Sequence, residues 1–186
     1  IITSFSLPPY NFAFLNFLSH PTLLYILINY THKKIISFFV GWVFGFGYFI
    51  SNLYWITNSL TFDVNFKLII PFALILIPLF LGIFYGLVTF LSSLFNLKNK
   101  LSSVLIFSIF FGGIEFLRSF ILGGFPWNLL VFSVSNNLPS LQILSYVGTY
   151  SLNLLSITIF LLPIIFFHKY KSSAAVIFFC FGLILV

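Results

Sequence analysis

We predict an all-α fold for this sequence, a polytopic bundle of about six transmembrane helices with the last one truncated. Of the 186 residues, 61% are hydrophobic and 5% are charged, whereas soluble domains carry about 25% charged residues. The apolar residues form runs of about 20, the length that a helix needs to cross a bilayer. Membrane barrels instead use alternating segments of about ten residues. The surrounding solvent is therefore expected to be lipid.

Six apolar stretches define the predicted spans. The first five are long enough to cross, although His20-Pro21 interrupts the first, and Pro71 and Pro78 are expected to kink the third. The sixth has 13 residues, which rise about 20 Å as a helix and are too few to cross. We therefore expect one membrane domain over residues 1–186, cut within its last span. The stretches are Asn11–Asn29, Ile35–Ile56, Leu68–Leu97, Val104–Leu122, Leu141–Phe167 and Ala174–Val186.

The lysines predict the orientation. Six of the eight basic residues lie in the gaps after the first, third and fifth stretches, which share one side of the membrane if the helices alternate. The other side holds Lys67, with Arg118 near it. Because cytoplasmic loops are enriched in Lys and Arg, we expect the lysine-rich gaps to be cytoplasmic and the opposite ends periplasmic. This spread also argues against a nucleic-acid-binding patch, despite the net charge of +6. The six residues are Lys33, Lys34, Lys98, Lys100, Lys169 and Lys171.

Two opposite charges lie inside the fourth span. Glu115 and Arg118 are three residues apart, on one helical face, with the acid first. Counting from Val104, they lie about 16 and 21 Å into the membrane. Charges at such depth usually face the bundle interior and often mark a functional path. The pair is equally compatible with an ion pair that only locks helix packing.

The fourth span ends in a helix-breaking sequence, Gly123-Gly124-Phe125-Pro126-Trp127. Paired glycines allow backbone angles closed to other residues, and the proline removes a donor and restrains its predecessor. We expect the helix to end here and the chain to turn along the periplasmic surface. The tryptophan is typical of an interfacial anchor. Alternatively, this irregular backbone shapes a cavity, because irregular backbone at membrane depth is tolerated where it is buried or lines one.

A second patch, residues 41–60, ends on the same predicted side. Its three glycines are typical of close helix packing. Its polar and aromatic end is expected to form an interfacial cap or part of a lipid-headgroup site. The glycines are Gly41, Gly45 and Gly47, and the polar and aromatic residues are Asn52, Tyr54, Trp55 and Asn58.

The histidines and the cysteine indicate neither a metal site nor a nucleophile. His20, His32 and His168 are scattered without metal-ligand spacing, so we assign no metal site. Cys180 lies in an apolar run, where a thiol is normally inert. The chain also lacks nucleotide-binding and nucleophile-elbow motifs, and we expect no cofactor.

The stretch from Glu115 to Asn128, followed by residues 131–155, resembles the membrane domain of the bacterial apolipoprotein N-acyltransferase family. That family has a similar Glu-x-x-Arg helix, a Gly-Phe-Pro-Trp turn and an apolar helix with a Gly and an Asn, here Gly148 and Asn153. Residues 41–60 resemble its Gly-rich helix ending in Trp, and residues 5–18 resemble its first inter-helix region. The resemblance covers nearly the whole chain in the same order.

The resemblance implies a two-step acyl transfer in the inner membrane. Family members move an acyl chain from a phospholipid to a cysteine as a thioester, and then to the α-amino group of a lipoprotein's diacylglyceryl-cysteine. The Glu-Lys-Cys machinery belongs to a nitrilase-like domain on the periplasmic face. Residues 1–186 contain no match to it, so we expect that domain after Val186 and a further helix before Ile1. The membrane phospholipid and the lipoprotein N-terminus are the implied partners.

The expected site lies on the periplasmic side, where the broken helix would place its tryptophan at the mouth through which acyl chains enter. Two alternatives stay open, a transporter or channel subunit and an inactive remnant of the acyltransferase. A transporter would spread polar residues through several spans, whereas here they gather at one level. For lipid or substrate binding we expect Trp127, Phe125, Pro126, Trp55, Tyr54 and Asn58, supported by Glu115, Arg118, Gly123, Gly124, Asn128 and Asn153.

Overall fold

The computed structural model describes residues 1–62, 64–97, 100–123, 126, 128–135 and 138–165. Over these residues the chain forms α-helices and short 3-10 helices, and no strand. The predicted all-α membrane bundle is confirmed. In the described ranges the α-helices are α1 Asn16–Tyr30, α2 Lys34–Leu53, α3 Ile70–Ser92, α4 Lys100–Ile121, α5 Leu138–Val147 and α6 Thr149–Leu161. The 3-10 helices are Ile2–Ser6, Ala13–Leu15, Tyr54–Thr61, Val64–Ile69 and Leu130–Ser133.

Helix length separates full spans from shorter ones. Within the described residues, three helical stretches are long and apolar enough to cross a membrane: Lys34–Thr61, Phe66–Ser92 and Leu101–Ile121. The first predicted span is shorter than expected, because α1 has 15 residues and rises only about 22 Å. The residues before it form 3-10 turns instead of extending the α-helix. The sixth predicted span lies outside the described residues.

The fifth predicted span is wrong as a single helix. The chain breaks at Gly148, whose φ of +85° and ψ of 149° are accessible mainly to glycine. The Gly148 N–H donates to the carbonyl of Leu144 at 2.9 Å, and its carbonyl accepts from Leu152 at 3.0 Å. This residue therefore ends α5 and begins α6. Apolar composition is uniform across the break, so hydropathy alone could not locate it.

Glycines bring α2 and α3 into the most extensive helix contact of the described bundle. A Cβ at Gly45 would lie 2.8 Å from the Cβ of Tyr85, and one at Gly86 would lie 2.8 Å from an aromatic ring of α2. Gly41 likewise packs directly against α3. Small residues at these positions let the two backbones approach closely. The predicted packing role is thus confirmed for Gly41 and Gly45, whereas Gly47 faces the amino-terminal residue at ordinary contact distance.

Two polar side chains reinforce this contact. The Thr89 hydroxyl on α3 donates to the Ser37 carbonyl on α2 at 2.7 Å. The Trp42 indole N–H on α2 donates to the Leu79 carbonyl on α3 at 2.9 Å. Leu79 directly follows the proline inside α3, so the indole bonds to the helix next to that proline.

The helices define two ends of the bundle. At the Asn128 end, α2 and α4 finish, α1 begins and residues 128–135 lie across the helices. At the Lys33 end, α1 finishes and α2 begins. We call residues 128–135 the end segment. Its 3-10 turn Leu130–Ser133 is largely buried, so this loop is part of the core and closes one end of the helix bundle.

Candidate functional site

A buried polar cluster, formed by Glu115, Arg118, Tyr85 and Asn153, lies between α3, α4 and α6. Glu115 is 1% exposed. Its Oε2 accepts a hydrogen bond from the Asn153 amide at 2.6 Å, and its Oε1 accepts one from the Tyr85 hydroxyl at 3.3 Å. A buried carboxylate is costly without such partners. The two hydrogen bonds come from α6 and α3, so they connect both helices to α4.

Arg118 is the largest fully buried side chain described. Its Nη2 lies 3.8 Å from the Glu115 Oε1, which is an ion pair at a distance too long for a direct hydrogen bond. Its guanidinium carbon also lies 5.0 Å from the centre of the Phe49 ring on α2, a favourable cation–π arrangement in a desolvated site. The predicted ion pair is therefore present, and it faces the bundle interior.

Asn153 joins this cluster to the end segment. Its amide nitrogen donates to Glu115, and its amide oxygen accepts a hydrogen bond from the Val131 backbone N–H at 3.0 Å. Both Asn153 and Val131 are fully buried. The Asn153 side chain thus links the end segment to the buried carboxylate.

Two further side chains hold the end segment from other helices. The Tyr48 hydroxyl on α2 donates to the Asn128 carbonyl at 2.8 Å. The Asn16 amide at the start of α1 donates to the Ser133 hydroxyl at 3.0 Å. Together with the bond from α6, these contacts fix the end segment at its beginning, middle and end.

An apolar cavity of about 580 Å³ opens at the same end of the bundle. Its floor is formed by the buried rings of Phe17 and Phe160, which meet edge to face with centroids 5.0 Å apart. Its rim includes the exposed side chains of Phe12 and Ile143, and the end segment contributes Val134. The exposed rim shows that the cavity is open to its surroundings. Among the described lining residues, Asn11 and Ser156 are polar.

The predicted helix break is present. The chain leaves α4 after Ile121, and Gly123 has a φ of +80°, a left-handed value that favours glycine. Asn128 also has positive φ, at +46°, which is tolerated best by asparagine among side-chain-bearing residues. Pro126 is partly buried. The other predicted residues of this turn, Gly124, Phe125 and Trp127, lie outside the described residues.

The second predicted patch is separate from these features. Tyr54, Trp55 and Asn58 lie on the 3-10 helix that follows α2, and all three side chains are exposed. In the described part of the chain they line neither the apolar cavity nor the buried polar cluster. Their predicted role in lipid or substrate binding stays a prediction.

Sequence reasoning missed several of the residues that hold this end together. Tyr48, Tyr85 and Asn16 were not singled out, because a single polar group in an apolar run has many structural explanations. Their partners lie 30 to 117 positions away in the chain, so no local pattern could pair them. Among the described residues no group of three His, Cys, Asp or Glu side chains could hold a metal ion.

Comparison with known proteins gives a consistent result. Residues 1–162 match the family model described as apolipoprotein N-acyltransferase N-terminal domain. Similar curated relatives are each named apolipoprotein N-acyltransferase. They include one from Brucella melitensis biotype 1, 30% identical over 84% of this chain and 31% of the relative. Another, from Rhizobium etli, is 32% identical over 87% of this chain and 32% of the relative.

The chain therefore spans about a third of the length of the curated relatives it matches. A third relative, from Rhizobium rhizogenes, is 30% identical over 85% of this chain and 31% of its own length. No solved structure matches this chain.

Proposed function

The chain belongs to the apolipoprotein N-acyltransferase N-terminal domain family, and from this premise we propose that it is the membrane part of an N-acyltransferase. The whole enzyme would transfer an acyl chain from a membrane phospholipid to the α-amino group of a lipoprotein's N-terminal diacylglyceryl-cysteine. The cysteine thioester that carries the acyl chain between the two lipids would form on a second, nitrilase-like domain. The helices described here anchor that domain and bind the acyl donor.

The apolar cavity at the Asn128 end is the observation that carries the lipid-binding part of this proposal. Its volume of about 580 Å³ lies within the range of about 300–1,000 Å³ typical of ligand sites. Its lining is mainly aromatic and aliphatic, and several rim side chains are exposed. A site of this composition in a membrane protein suits a hydrocarbon chain that enters sideways from the bilayer. Its described lining offers an acyl chain mainly apolar contacts.

The predicted lipid-binding residues Phe125, Pro126 and Trp127 precede the end segment in the chain. Positive φ angles at Gly123 and Asn128 bound this turn, and we propose that it contributes to the mouth of the same site. The glycerophosphate part of the donor would remain at the membrane surface. Only the acyl chain would enter the cavity.

The lysine distribution supports an inner-membrane orientation with the Asn128 end in the periplasm. Single cysteines introduced at Lys33 and at Ser59, in a protein whose own cysteines including Cys180 are replaced, test this proposal, since the two positions lie at opposite ends of Lys34–Thr61. A membrane-impermeant thiol reagent added to intact cells should label the cysteine at Ser59 and spare the one at Lys33. Labelling with the opposite preference would reverse the orientation.

Acyl transfer by the full-length protein tests the function itself. The protein is placed in vesicles with a phospholipid carrying an isotope-labelled acyl chain and with a diacylated lipoprotein peptide that has a free α-amino group. Mass spectrometry should show that the peptide gains one labelled acyl chain. An acceptor blocked by N-acetylation serves as the control and should stay unchanged. Absence of the labelled product, with the protein folded and inserted, would contradict the proposal.

A further inference from the structure

We infer that Asn153 is a positioning residue, which holds the end segment against the buried carboxylate of Glu115 and thereby sets one wall of the apolar cavity. This inference rests on the proposed function, because it assigns Asn153 a role in the use of the acyl donor. It concerns a side chain inside the bundle that lines no part of the cavity itself. Its effect on the reaction would therefore be transmitted through the end segment.

The chemistry of the two hydrogen bonds admits only one orientation of the amide. The Val131 N–H is a donor, so the atom facing it must be the amide oxygen, at 3.0 Å. The Glu115 carboxylate is an acceptor, so the atom facing it must be the amide nitrogen, at 2.6 Å. A side chain at this position therefore needs one donor and one acceptor, at a fixed separation. Asparagine meets this need, whereas alanine and leucine do not.

The burial of Asn153 and its partners makes the loss of either hydrogen bond costly. Asn153, Val131 and the neighbouring Leu129 and Leu130 are all fully buried, so bulk water has no direct access to the Val131 N–H. A buried backbone N–H without an acceptor is strongly unfavourable. We expect that removing the amide would shift the end segment until its N–H finds another partner.

This segment and α6 both reach the cavity. Val134 lines the cavity three residues after the Val131 N–H. On α6, Leu152 and Ser156 line it from positions directly before and one turn after Asn153. A displacement of the end segment relative to α6 would therefore change the shape of the cavity wall. Since we assign this cavity to the acyl chain of the donor, we expect the change to affect use of the phospholipid more than use of the lipoprotein acceptor.

The first measurement uses Asn153→Ala in the full-length protein. We expect faster hydrogen–deuterium exchange in a peptide covering residues 129–135, because the Val131 N–H loses its acceptor. We also expect the KM for the phospholipid donor to rise about tenfold, the effect of losing one hydrogen bond to a buried group. The KM for the lipoprotein acceptor should change much less. Thr158→Ala is the matched control, since that α6 hydroxyl donates only within its own helix, to Leu154 at 2.8 Å.

A reciprocal exchange provides the second measurement. Asn153→Asp alone places two carboxylates against each other and should impair donor use. In the double variant Glu115→Gln with Asn153→Asp, the introduced glutamine amide can donate to the introduced carboxylate. The second carboxylate oxygen then accepts from the Val131 N–H, and the cluster keeps one negative charge. We expect this variant to recover slow exchange and a low donor KM.

The outcomes separate this inference from the proposed function. If the wild-type protein transfers acyl chains but Asn153→Ala leaves both exchange and donor KM unchanged, the positioning role is overturned. If Asn153→Ala does not fold, the double variant decides: recovery supports the role, and a protein as impaired as Asn153→Asp overturns it. If the wild-type protein transfers no acyl chain, the proposed function fails, while the exchange measurement still tests whether Asn153 holds the segment.

Discussion

Burying Arg118 removes a guanidinium from water, and neighbouring groups offset this cost. The Glu115 carboxylate lies 3.8 Å away on the same helix, and the Phe49 ring lies beneath the cation. The i, i+3 spacing predicted the first contact from the sequence, since both residues belong to one helix. Phe49, which contacts Arg118, lies on α2, and Asn153, which contacts Glu115, lies on α6. No pattern local to α4 could reveal these two contacts.

Arg118→Ala should destabilise the protein and reduce lipoprotein N-acylation. Removing one partner of a buried ion pair leaves the other uncompensated, at a cost of roughly 3–5 kcal/mol. Thermal unfolding of the full-length protein in detergent, together with the acylation assay, measures both effects. Lys67→Ala is the control, because that cation is exposed. An unchanged unfolding temperature for Arg118→Ala would show that the pair contributes little.

Trp127→Ala should reduce N-acylation without lowering the unfolding temperature, since we propose a lipid-binding rather than a packing role for this residue. Phe72→Ala is a suitable control, because that aromatic side chain is exposed on α3, away from the cavity. The acylation rate of each variant is compared at matched expression. Normal acylation by Trp127→Ala would remove this residue from the site.

Helices α2 and α3 show that glycine spacing in a sequence can predict a close contact between two helices. The spacing of Gly41 and Gly45 indicated a close helix contact, and the structure shows that contact with α3. The break at Gly148 was not predicted, because glycine is tolerated inside membrane helices and both flanking segments are apolar. The sequence could also not show that α1 starts only at Asn16, since 3-10 and α-helical turns share apolar composition.

Gly45→Ala should lower the unfolding temperature. The added methyl group would meet the Cβ of Tyr85 at 2.8 Å and the Cα of Gly82 at 3.0 Å, and overpacking of this kind costs roughly 1–3 kcal/mol. Gly113→Ala is the matched control, because a Cβ there meets nothing within 4 Å. That control should be neutral or stabilise the helix by about 0.5–1 kcal/mol. Equal unfolding temperatures for the two variants would mean that α2 and α3 tolerate a wider separation.

At the scale of the whole molecule, the hydropathy pattern and the lysines predicted the fold class and the order of most helices. They could not predict the buried polar cluster and the end segment, which depend on contacts between residues far apart in the chain. The two buried charges and the amide that bonds to them lie near one end of the bundle, whereas other buried polar side chains, such as Ser37 and Thr89, bond near the opposite end. The buried charges are paired with each other and with Asn153 and Tyr85, and this closed cluster agrees better with the proposed lipid-binding role than with the polar path of a transporter or channel.

The most direct test of lipid binding at the Asn128 end is photo-crosslinking with a phospholipid that carries a diazirine on its acyl chain. The full-length protein is irradiated in vesicles, and the modified residues are identified by mass spectrometry. We predict crosslinks at Phe12, Phe14 and Ile159, which line the cavity, well above those at the exposed α3 residues Phe72 and Leu76. Excess unlabelled phospholipid should suppress the cavity crosslinks first. Labelling that is no greater in the cavity than on α3 would contradict the proposed lipid site.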